Sequence, residues 1–245
     1  MGTLGPVERR AMKDLLRGLV PIERSAKQLE FQAMVTSSQG PALQPEARFE
    51  EFPKYVSRDS TYAVSFKKES TVVETTYYDG WETFRNLATE ALRVREAVTK
   101  VDGVERIGLR YINEIRVPEE SSSDWSDWVS SSVLAPNGVD KDINLPISQW
   151  QGVGVYGSQP GQALVLRYGP RDGYAVENDL KRSFPKAGPF MWIDMDSFWT
   201  PDEDGTPEFS LDSIVSISNQ LHVPIRELFE SLITDRLRNE VLRSV

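Results

Sequence analysis

The stretch VERIGLRYINEIRVP, residues 104–118, constrains the fold more than any other part of the chain. Its odd positions Ile107, Leu109, Tyr111, Ile115 and Val117 are apolar, with Asn113 the exception. Its even positions include Arg106, Arg110, Glu114 and Arg116. Side chains alternate across a strand, so one face enters a core and the other carries charge. A sheet covered on one face only is characteristic of antiparallel architecture.

Other segments agree. KQLEFQAMVT (27–36) alternates and reads as a strand. TYAVSFKK (61–68) and TVVETTYY (71–78) are separated only by Glu69-Ser70, which indicates a hairpin. WQGVGVYGS (150–158), QALVLRYG (162–169) and PFMWIDMDSFWT (189–200) add three strand-like runs. Residues 7–18 suit a short amphipathic helix ended by Gly18, and residues 37–55 read as a loop with a short helix near 45–52. Trp81, Phe84, Ala88, Ala91, Val94 and Val98 recur at helical spacing, with Asp79 as the expected N-cap. Residues 210–242 predict a closing helix interrupted near Pro224.

The expected fold is α+β, with antiparallel sheets packed against helices and two similar strand-helix halves. The expected organisation is an N-terminal helical extension (1–20), a first half (21–118), a connector (119–149) and a second half (150–245). The connector is rich in serine, aspartate and proline and is longer than most loops.

The resemblance rests on five stretches: PIERSAKQLEF (21–31), YDGWETF (78–84), GLRYIN (108–113), IDMD (193–196) and LHVPIRELFESLIT (221–234). In this order they resemble a sporadically distributed bacterial family of unassigned function, over residues 20–240. The resemblance implies a bacterial cytosolic protein from a mobile or defence-related gene neighbourhood. It implies no activity, and nothing for the first 20 residues.

Composition narrows the function. The 245-residue chain has no cysteine, so disulfides, thiolate metal sites and cysteine nucleophiles are excluded. A single histidine, His222, argues against histidine-based hydrolases and zinc enzymes, and its helical setting suits a structural role. The net charge of −9 disfavours a general nucleic-acid binder. No apolar run is long enough for a membrane span and no secretory leader is evident, so a cytoplasmic location without a membrane partner is expected.

Asp194 and Asp196 are two apart on one strand and project from one face. One reading is a Mg²⁺ or Mn²⁺ site for phosphoryl transfer, with Glu114 as third acid and Arg110 stabilising charge. The other is that the acids meet arginines of the 104–118 strand, above all Arg110, whose planar fork suits a carboxylate. That ion-pairing reading is preferred. TPDEDGTPE (200–208) lacks calcium-loop ligand spacing and reads as an acidic turn. Trp125 and Trp128 lie in the polar connector, either as anchors for a protein partner or as plugs folded back on a core.

The leading expectation is therefore a non-enzymatic partner-binding or regulatory protein. Its candidate binding residues are Arg110, Asn113, Trp125 and Trp128. A protein partner is expected, no cofactor is required, and a homo-oligomer is compatible. The alternatives are the metal-dependent enzyme or nuclease using Asp194 and Asp196, and a nucleic-acid module using the stripe Arg106, Arg110 and Arg116.

Overall fold

The computed structural model describes residues 4–31, 47–118, 124–135, 145, 147, 149–176, 179–184, 186–202 and 205–242. The fold is α+β and divides into two compact units, one of residues 1–101 with 180–183, the other of 102–179 with 184–245.

In the first unit, helix α1 (Pro6–Leu16) precedes strands β1 (Ile22–Phe31), β2 (Ala47–Val56), β3 (Tyr62–Phe66) and β4 (Thr71–Thr75), and helix α2 (Trp81–Val98) follows. The four strands form an antiparallel sheet in chain order. Met12 and Leu16 lie one helical turn apart on α1, and with Val20 they are fully buried against Tyr55, Val64 and Phe66 of the sheet and Ala91 and Val94 of α2. The buried Tyr55 hydroxyl donates to the Arg9 carbonyl at 2.9 Å, and burial pushes its phenol up to about 12. The N-terminal helix is thus an integral part of this core. Leu180 closes a small cluster with Val56 and Ala63, and the Lys181 amide donates to the Ser60 carbonyl at 2.8 Å.

Two local expectations are corrected here. Of the short helix expected at 45–52, residues 47–52 are instead part of β2, which pairs with β1 from Ile22↔Val56 to Phe31↔Ala47, and residues 45–46 lie outside the described residues. A long antiparallel ladder overrides a weak helical preference. The N-cap of α2 is Gly80 at φ 89° rather than Asp79, and no side chain caps it. Only glycine adopts that backbone readily. The β3–β4 hairpin forms as expected, with Phe66 opposite Thr71. Of the expected 27–36 strand, residues 32–36 lie outside the described residues.

The second unit holds β5 (Ile107–Ile115), β6 (Gly152–Gly157), β7 (Gly161–Arg171), β8 (Phe190–Thr200) and helix α3 (Leu211–Leu232). Its sheet is antiparallel in the order β5-β8-β7-β6. β5, grouped by sequence with the first half, pairs along its whole length with β8, from Ile107↔Trp199 to Ile115↔Met191. Each unit therefore has four strands followed by a helix, but the strand orders differ.

α3 packs on β5, β8 and β7. Ile214, Leu221, Ile225 and Leu232 form its buried stripe. The expected interruption near Pro224 does not occur, because α3 runs continuously through it. That stripe spans both sides of the proline, and its packing offsets the missing hydrogen bond. The sheet face beneath α3 carries Leu109, Ile115, Leu164, Leu166, Met191, Ile193 and Met195, all buried. Register places Arg110, Arg167, Asp194 and Asp196 on the opposite face. Among the described residues, no helix is long and apolar enough to cross a membrane.

Candidate functional site

The charged face of the second sheet is organised around Asp194. Arg110 lies opposite Asp196 in register, yet its side chain reaches diagonally to Asp194. Its Nε and Nη2 donate to the two Asp194 carboxylate oxygens at 2.8 and 2.7 Å. Arg167, opposite Asp194 on β7, adds an Nη1 contact at 3.5 Å. The Asp194 side chain is 0% exposed, whereas those of Arg110 and Arg167 are 51% and 35% exposed. A carboxylate without solvent requires such partners. The Asp194 hydrogen bonds and the nearby Asp196 charge raise the Arg110 guanidinium pKa above its ordinary value.

Asp196 is held more loosely. Arg106 approaches it at 3.6 Å and lies over the Phe198 ring at 4.5 Å. Arg171 stacks over Trp192 at 3.4 Å from the ring centroid. Guanidinium on an aromatic face is favourable and fixes the direction of the group. Arg106 and Arg171 are both exposed. On β6, Val153 opposite Arg167 and Val155 opposite Val165 leave 66% and 67% of their surface exposed.

Glu114, the candidate third acid, is engaged elsewhere. It pairs with Arg116 at 2.7 Å and accepts from the Ala175 amide at 2.7 Å. Arg116 in turn donates to the Gly188 and Gly173 carbonyls and is ringed by Tyr174, Phe184 and Phe190. It serves as a knot that fastens loops to the sheet, so the stripe expected from Arg106, Arg110 and Arg116 loses its third member. The arginines that sequence reasoning missed are Arg167 and Arg171. Their alternation on β7 signals one face, but only the pairing of β7 with β8 brings Arg167 to Asp194 and Arg171 over Trp192. Among the described residues, no group of three histidine, aspartate or glutamate side chains could hold a metal ion.

Two expected binding residues take structural roles. Asn113 lies on the α3 side of the sheet and donates to the Ile193 carbonyl at 3.0 Å. Trp128 is fully buried, with Arg236 over its ring at 4.3 Å, and so is a plug rather than an exposed anchor. Its backbone accepts from the Thr234 amide at 3.1 Å, and Val129 bridges Ile233. Trp125, in the turn capped by Asp124, is half-buried. His222 packs its ring 6.1 Å from Tyr111, while burial and Arg226 lower its pKa. Of the 200–208 turn, residues 203–204 lie outside the described residues.

Compared with protein-family models, curated proteins and solved structures, the chain matches none. Residues 108–113 and 193–196 lie side by side: Arg110 and Asn113 contact Asp194 and Ile193.

Proposed function

We propose that this is a non-catalytic, partner-binding protein of regulatory type, acting in the bacterial cytosol as the resemblance implies. The observation that carries the reading is the face of the second sheet opposite α3. Its arginines are held in place by a buried aspartate and by aromatic rings, and one of them, Arg167, lies opposite the exposed Val153. Arginine and aromatic side chains beside an apolar strip are the composition enriched at protein interfaces. Asp194 is spent on holding Arg110 and Arg167, which argues against its pairing with Asp196 to hold a metal.

The test compares affinity capture from source-cell lysate on the wild-type protein with capture on Val153→Asp and Val155→Asp. A defined protein retained by wild type and lost from both folded variants is the expected result. An identical captured set on all three forms overturns the reading. The competing metal-dependent enzyme is tested by calorimetric titration of Mg²⁺ and Mn²⁺. Heats equal to dilution are expected, because a metal must first displace Arg110 from Asp194. Saturable heats abolished by Asp196→Ala would establish the enzyme reading instead.

A further inference from the structure

We infer that the occupant of this face is an extended acidic segment of the partner protein, laid along β8 over its line of arginines. The inference rests on the partner-binding reading and names the chemistry of the partner.

The guanidiniums follow β8: Arg106 stands at Asp196, Arg110 and Arg167 meet at Asp194, and Arg171 lies over Trp192. These β8 positions are two residues apart, about 7 Å along the strand. An extended peptide repeats the side chains of one face at the same interval. Carboxylates at every second residue of the peptide therefore meet successive arginine positions.

The arginines are prepared for this. A guanidinium has five N–H donors, and Arg110 uses two of them on Asp194. The others belong to a group that is half-exposed and already fixed in orientation, so little side-chain entropy is lost on binding. Arg171 makes its described contact with the Trp192 ring, which leaves its N–H edge for a ligand.

The charges favour a peptide over a nucleic acid. Among the described residues, the four arginines on this face are balanced by Asp194 and Asp196, a surplus of two positive charges on a chain of net charge −9. Two or three carboxylates neutralise that surplus. A continuous phosphate backbone would exceed it and lie against Asp196, whose side chain is 21% exposed.

The experiment is fluorescence anisotropy at low salt, with the full-length protein and a labelled ten-residue peptide bearing glutamate at alternate positions. The controls are the same peptide with glutamine for glutamate and a single-stranded DNA of equal length. Saturable binding of the acidic peptide alone is expected, weakening as salt rises. Arg167→Gln and Arg171→Gln should each weaken it about fivefold, with thermal melts confirming that each variant remains folded at the assay temperature. No binding of the acidic peptide, equal binding of the glutamine peptide, or affinity unchanged in both variants overturns the inference. Tighter binding of the DNA, lost in the same variants, also overturns it and assigns the face to nucleic acid. If the protein captured from lysate is retained by both arginine variants, the acidic-segment inference fails while partner binding stands. If the peptide binds but nothing is captured, the reverse holds.

Discussion

Arg110 of β5 grips Asp194 of β8 with two parallel hydrogen bonds, and the carboxylate in that grip has no contact with solvent. The pair is asymmetric, because the aspartate is sealed while half of the arginine side chain remains exposed. Removing the arginine strands a charge in the core, whereas removing the aspartate frees an arginine to reach water. Arg110→Ala should therefore cost about 2–3 kcal/mol of stability, softened by Arg167, and Asp194→Asn should cost less. Adding Asp194→Asn to Arg110→Ala should recover part of the loss. Urea unfolding of the four forms checks this, and equal costs for both single variants would show that the pair contributes as an ordinary surface bridge.

Trp128 and Trp125 should separate cleanly. Trp128→Ala empties a fully buried site beneath Arg236 and should cost about 3–4 kcal/mol. Trp125→Ala removes a half-buried ring and should cost about 1 kcal/mol or less. Thermal melts of the two variants decide the matter. A mild effect of Trp128→Ala would return that residue to the role of interface anchor.

His222 introduces a pH dependence. Burial and the neighbouring Arg226 lower its pKa in the folded state, so the unfolded chain binds the proton more readily. Its contribution to stability is complete above the unfolded value of about 6.5 and is lost as pH falls through the depressed folded value. The melting temperature should decline on acidification below that point, and His222→Gln should flatten the decline. An unaltered slope in the variant would assign the acid sensitivity to other groups.

Gly152 faces the Tyr168 ring across the β6–β7 ladder, and a β-carbon at that position would run into the ring. Gly152→Val should displace Tyr168 and cost about 1–3 kcal/mol, despite the higher strand propensity of valine. Tyr168→Ala in the same background should restore part of the stability. Denaturation of the single and double variants measures it, and a stabilising Gly152→Val would mean that the ring moves freely.

What the sequence alone determined is periodicity. Alternation in 107–115 and 190–200 established two strands and told which side chains share a face, so Arg110, Asp194 and Asp196 could be named as one constellation. Helical spacing located α2, and two residues between apolar runs located the β3–β4 hairpin. These signals are local, because backbone geometry repeats within a few residues. Tertiary structure decided the rest. That β5 pairs with a strand some eighty residues onward depends on which ladder buries the most apolar surface, and no local pattern records that choice. The pairing of β7 with β8 brought Arg167 and Arg171 onto the charged face, and Glu114 was taken up by Arg116. Burial, which made Trp128 a plug and Asp194 an anchor for arginines, is a property of packing between distant segments.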